Sequence, residues 1–180
     1  MRDAEGKRRQ LLEAGLVEFA AHGIAGARVD RIAKRAGCSA GLVYTYFTSK
    51  DELFEAVFDA TIEQTREDAP ITVHDLPEYA GRLFDARRLN PEAARLLDWY
   101  ALERPGTTRP AALISAQAKV EAIRTAQRNG KVTTRFTAEQ ILHLITQLAT
   151  RGAEDPHNPL DPASHREMIV EAIRLLTTPT

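Results

Sequence analysis

The chemistry that the residue pattern of this chain suggests first is the holding of phosphate. Residues 1–50 carry nine Lys and Arg against five Asp and Glu, a net of +4, whereas residues 51–68 carry one Arg against seven acids, a net of −6. The whole chain has a formal charge of −1 at pH 7, so the asymmetry, not the total, directs a cationic surface from the N-terminal part toward a polyanion. Ordinary scatter of charge along solvated helices is the competing explanation. Inside the basic part stands AGCSAGLVYTYFTSKDEL, residues 36–53. Its segment from Ser39 to Phe47 contains no Arg, Lys, Gln or Asn, the side chains that make most specific hydrogen bonds to base edges.

Patterns that would carry other chemistry are missing. The sequence holds no nucleophile elbow, no phosphate loop and no acid pair of catalytic type, and His165-Arg166-Glu167 is not HExxH. His157 shares a loop with Glu154, Asp155 and Asp161, but without the spacing of a known metal site. The expectation is a protein with no enzymatic activity, no metal and no cofactor. Cys38 is the single cysteine, so an intrachain disulfide is excluded, and a buried inert thiol is preferred to a redox switch. With 43% hydrophobic and 27% charged residues the 180-residue chain fits a soluble globular protein with a real core. A polar N-terminus and the lack of any run of about 18 apolar residues predict a cytoplasmic protein that does not enter a membrane.

The elements that must position the basic part are helices. Leu12, Leu16, Phe19 and Ala20 form an i, i+4, i+7, i+8 stripe, which predicts a first helix over 5–22 with Gly23 as its left-handed cap. Val29, Ile32, Ala33 and Ala36 repeat the spacing in a short second helix closed by Gly37. Ser39 caps a third, running to Phe47. Ser49 and Glu52 form a capping box that opens a fourth, ending before Pro70. Prolines and caps then divide the remainder into helices over 76–89, 91–103, 110–129, 138–151 and 162–177. Thr137 to Gln140 is a second capping box, and Asp161-Pro162 sets a cap residue before a proline at the first helical position. Residues 152–161 read as a loop. The fold class is all-α: a three-helix head, a fourth linking helix and a larger helical body. The domains are 1–47, 48–69 and 70–180.

Two short helices joined through Ala36-Gly37-Cys38-Ser39 meet the demands of a helix-turn-helix. The turn is tight, and the second helix is short enough for a major groove about 12 Å wide. Across RVDRIAKRAGCSAGLVYTYFTSKDELFEAV the sequence resembles the DNA-binding head of the TetR family of transcriptional regulators. The likeness covers residues 8–58 in unbroken register and includes Phe19, Gly23, Val29, Ile32, Ala33, Ala36, Gly37, Gly41, Tyr44, Tyr46, Phe47, Lys50, Leu53 and Phe54.

The resemblance implies that Ser39 to Phe47 is the recognition helix. It puts the base-reading positions on Ala40, Gly41, Leu42 and Thr45, phosphate contacts on Tyr44, Tyr46 and Lys50, and backbone contacts on Arg28, Val29 and Asp30. Ala40 and Leu42 stand where the family often has Lys or Arg and Thr, Ser or Asn. Arg28 stands where a capping Thr is common, and its side chain cannot cap. Physically, Ala40 and Gly41 let the helix approach the groove closely, Leu42 can pack on a thymine methyl and Thr45 can reach a base edge. Specificity then rests on fit and DNA shape more than on charged readers. The plain alternative for each tyrosine is packing on a neighbouring helix. Val43 and Phe47 read as core.

For the body the resemblance implies a small-molecule pocket and a homodimer. Tyr79, Phe84, Trp99, Tyr100 and His143 are the candidate ligand residues, with a purely structural role as the alternative for each. Leu142, Ile145 and Leu148, with Ile169, Ile173 and Leu176, give two apolar stripes that predict the dimer interface, unless they face their own core. The expected function is a ligand-released repressor on a pseudo-palindromic double-stranded operator. An activator, or a helical interaction module that has lost DNA binding, is the alternative.

Overall fold

A computed structural model describes residues 2–151 and 161–179. Among them the regular structure is helical: α1 (Arg2–Gly26), α2 (Val29–Arg35), α3 (Ala40–Tyr46), α4 (Lys50–Asp68), α5 (Leu76–Leu89), α6 (Pro91–Glu103), α7 (Pro110–Arg128), α8 (Ala138–Arg151) and α9 (Pro162–Thr177). The loop expected over 152–161, with His157, Glu154 and Asp155, falls outside the described residues except for Asp161.

Local signals set the helix ends. Ser49 Oγ accepts the N–H of Glu52 at 3.0 Å, and the Glu52 carboxylate accepts the N–H of Thr48 at 2.6 Å. Thr137 and Gln140 exchange side-chain-to-backbone bonds in both directions. Asp161 accepts from the N–H groups of Ala163 and Ser164, ahead of Pro162. The end of α1 differs from expectation in one respect. Gly23 has φ 66° but ψ −175°, an extended mirror-image conformation that only glycine adopts readily, not a left-handed cap. The chain breaks there and makes one further turn to Gly26.

The helices form two compact units. The first comprises the chain through Gln64 together with Asn90–Arg109; the second comprises Thr65–Leu89 and the chain from Pro110 onward. Residues 90–109 therefore group with the head, although sequence alone assigns them to a body spanning 70–180. The reason is aromatic packing. The Tyr100 ring of α6 stacks on Phe58 of α4 with centroids 3.9 Å apart, and lies 6.0 Å from Phe54. Phe54 in turn meets Phe19 of α1 edge to face at 5.0 Å. The rest of this unit's core includes Leu11, Ile32, Val43, Phe47, Leu53, Val57 and Leu96.

In the second unit α5 packs on α8 and α9, and α7 on α8. Its core holds Tyr79, Phe84, Ile123, Ile141, Leu142, Ile145, Ile169 and Ile173. Four of the six residues proposed for a dimer interface, Leu142, Ile145, Ile169 and Ile173, are thus buried against their own chain, while Leu148 and Leu176 are half-buried on the edge of the same cluster. A strongly apolar stripe marks the inward face of an amphipathic helix before any face shared with a partner. No helix among the described residues is long and apolar enough to cross a membrane.

Candidate nucleic-acid interface

α3 is built to be held from one side and exposed on the other. Ser39 caps it, its Oγ accepting the N–H of Leu42 at 3.3 Å. Val43 and Phe47 are buried and anchor the helix, as the sequence suggests. Gly41 and Thr45 are exposed, Ala40, Leu42 and Tyr46 half-buried, and Tyr44 keeps 51% of its surface in solvent. The turn that delivers α3 depends on Gly37, whose φ of 63° is left-handed. Cys38 in this turn is half-buried rather than buried, and its N–H closes the end of α2 on the Ala33 carbonyl at 3.0 Å.

The groups that hold this arrangement were partly invisible in sequence. Arg28 occupies the N-cap position of α2 and makes no side-chain cap bond. The acceptor comes instead from α1: buried Glu18 takes the Arg28 N–H at 2.9 Å and the Arg31 guanidinium at 2.7 Å. Lys7 donates to the Ala36 carbonyl at 3.2 Å, and the Arg8 guanidinium lies 5.5 Å from the centre of the Phe47 ring. Glu18, Lys7 and Arg8 are therefore positioning residues for the helix pair. Their only sequence signal is polar residues on the face of α1 that the second and third helices must cover.

Two expected phosphate ligands are otherwise engaged. Lys50 Nζ donates to the carbonyls of Ala25 and Ala27 at 3.3 and 3.2 Å, closing the end of α1. An ammonium has three donors, so one N–H is left for another acceptor. Arg28 forms a two-point pair with Asp30, with bonds of 3.1 and 2.8 Å. Each holds the other charged: the hydrogen bond from Arg28 lowers the Asp30 pKa, and that to Asp30 raises Arg28. Thr45 donates its hydroxyl proton to the Gly41 carbonyl at 3.2 Å, so its lone pairs, not its proton, face outward. Val29 is half-buried at the start of α2.

The acidic stretch after residue 50 belongs to the scaffold. Arg104 reaches Asp51 at 3.0 Å, and Arg109 holds Glu55 at 2.7 Å and Asp59 at 2.5 Å.

The family model described as "Bacterial regulatory proteins, tetR family" matches residues 11–57, and "Tetracyclin repressor-like, C-terminal domain" matches residues 75–174. The chain is also 34% identical over 151 residues to the HTH-type transcriptional repressor SCO4008 of Streptomyces coelicolor, covering 82% of this chain and 79% of that one. The chain belongs to the TetR family of transcriptional regulators. A crystal structure of the regulator SCO4942 of Streptomyces coelicolor superposes with a TM-score of 0.82 at 33% identity, covering 97% of this chain and 99% of that chain. FadR of Bacillus subtilis, solved in complex with stearoyl-CoA, shares the fold at a TM-score of 0.67 and 17% identity, over 92% and 96% of the two chains.

The five candidates for ligand contact in this TetR-family chain are divided between the two units. Trp99 and Tyr100 lie in the head unit: Trp99 Nε1 donates to the Ala20 carbonyl at 3.2 Å, and Tyr100 stacks on Phe58. Phe84 is a core ring of the second unit, 5.0 Å from His165. His143 is exposed on α8. Tyr79 is fully buried in the second unit, and its hydroxyl has no hydrogen-bond partner among the described residues.

Proposed function

We propose that this TetR-family chain is a cytoplasmic repressor. As a homodimer it holds a pseudo-palindromic operator and releases it when a small molecule enters the unit built from α5, α7, α8 and α9. One observation carries the DNA reading: α3 is pinned by Val43 and Phe47 and leaves Gly41, Tyr44 and Thr45 exposed. Ala40 and Gly41 permit close approach, Leu42 meets a thymine methyl, Thr45 accepts from a base amino group, and Tyr44, Tyr46 and the remaining Lys50 donor meet phosphate. The sign of regulation follows SCO4008, a relative named as a repressor. FadR, with stearoyl-CoA on the same fold, supports a body that holds ligand.

Assembly needs a face other than the buried stripes. On α9, Met168, Ala172 and Leu175 recur at i, i+4, i+7, and Met168 and Leu175 are 47% and 74% exposed. We assign the dimer contact to this face. A two-fold pair would set recognition helices about 34–36 Å apart. The test is a gel shift on DNA flanking the chain's own gene, followed by selection of bound sequences from a random pool. Recovery of an inverted repeat with half-sites one helical turn or slightly more apart supports the reading. Failure to discriminate the flanking DNA from competitor overturns it in favour of an interaction module.

A further inference from the structure

Two donors in the second unit have no acceptor among the described residues, and they meet at one aromatic ring. Tyr79 is fully buried on α5 and its hydroxyl has no partner among the described residues. Lys119 of α7 is half-buried, with Nζ 6.0 Å from the centre of the Tyr79 ring. Among the described residues no carboxylate pairs with Lys119. Burial lowers the Lys119 pKa and the charge of Arg66 lowers it further, while burial pushes Tyr79 up to about 12. Arg82 adds positive charge near the Tyr79 hydroxyl and is itself fixed on the Pro70 carbonyl and Thr72.

An ammonium held partly out of water within reach of the Arg66 charge is a net cost to the fold, and so is a buried hydroxyl without a partner. Packing alone would be served by Met and Phe at these two positions. Both groups can donate, and the charges that act on them, Arg66 on Lys119 and Arg82 on Tyr79, are positive, so the missing component is a negatively charged acceptor. Ala116, one turn before Lys119, belongs to the apolar border of the same core. We propose that the effector is an organic anion whose acidic group is taken by the Lys119 ammonium and the Tyr79 hydroxyl, with its apolar part against the core of this unit. This rests on the proposed ligand-responsive function and narrows it to one chemical class.

Matched acid and amide probes test it on the full-length protein: octanoate against octanamide, and phenylacetate against phenylacetamide. Calorimetry reads binding, and fluorescence anisotropy of the flanking DNA reads release. Each acid is expected to bind at least about tenfold more tightly than its amide. Lys119→Met should remove that preference, and Tyr79→Phe should weaken the acids by about threefold to tenfold. Both variants keep the bulk of the side chain, and circular dichroism verifies their fold. Equal binding of acid and amide, or folded variants that leave the preference intact, overturns the proposal. If neither acid binds, it is overturned as well. If amides alone bind and release DNA, the anion falls while the ligand-responsive function stands.

Discussion

The Glu103 carboxylate of α6 accepts the main-chain N–H of Ile24 at 3.0 Å and that of Ala25 at 3.3 Å. The break at Gly23 begins a new turn, in which the Gly23 carbonyl accepts from Ala27, and the first N–H groups of a helical turn call for acceptors outside it. Glu103 supplies them with an acceptor from a distant part of the chain. Glu103→Ala should lower unfolding free energy by about 1–2 kcal/mol, measured by urea denaturation at fixed protein concentration. Gly23→Ala should cost more. Its backbone conformation alone opposes alanine by about 1–3 kcal/mol, and an added Cβ would lie 2.3 Å from Glu103 Oε1 and 3.0 Å from the Trp99 ring. A neutral Gly23→Ala would contradict this backbone conformation.

This pair shows what the sequence could not disclose. The ends of α4, α8 and α9 were legible because Ser49 with Glu52, Thr137 with Gln140, and Asp161 with Pro162 act over three residues or fewer. The apolar register of α2 and α3 was legible for the same reason. Partners that meet only after folding were not. Glu18 replaces the cap that Arg28 cannot provide, and α6 joins the head because Tyr100 stacks on Phe58. Nothing in the periodicity of an amphipathic helix names the helix it will cover. The stripes of α8 and α9 show the same thing: Ile145 and Ile173 are buried in the core of their own chain.

That distinction separates folding from assembly. Met168→Glu combined with Leu175→Glu should leave the helical circular dichroism spectrum intact and convert a dimer to a monomer at micromolar concentration by light scattering. Operator affinity should fall with it. Ile173→Ala should instead lower stability by about 2–4 kcal/mol, with dimerisation weakened only in step with unfolding. A double glutamate variant that remains dimeric would remove Met168 and Leu175 from the interface.

Lys50 and Tyr44 should respond differently although both face phosphate in the proposed docking. Lys50 also closes the end of α1 through Ala25 and Ala27. Lys50→Ala should therefore reduce stability by about 1 kcal/mol as well as weaken DNA binding. Tyr44 is half exposed, and Tyr44→Phe should leave thermal unfolding unchanged. It should weaken binding to all sequences alike, as loss of a phosphate contact does. If Tyr44→Phe bound both operator and competitor DNA as tightly as the unaltered chain does, Tyr44 would lie outside the interface.

The Arg28–Asp30 pair sets a brake on the same surface. Arg28 sits at the start of α2, where two of its five N–H donors, on Nε and Nη2, are held by Asp30 and its charge is largely matched before any phosphate arrives. Both side chains are largely exposed, so the pair contributes little to folding. Its consequence is for binding: Asp30 offers Arg28 an internal substitute for phosphate and repels the DNA backbone itself. Asp30→Asn should thus tighten DNA binding at low salt while leaving stability unchanged. Each Arg28 freed to meet a phosphate adds about 0.9 to the slope of log affinity against log salt, or roughly twice that for two heads on one site. Because phosphate contacts carry no sequence information, non-specific binding should rise as well, and discrimination should not improve. Fluorescence anisotropy across a salt series, on operator and on random duplex, measures both. An unchanged slope in Asp30→Asn would show that Arg28 stays away from the DNA even when released.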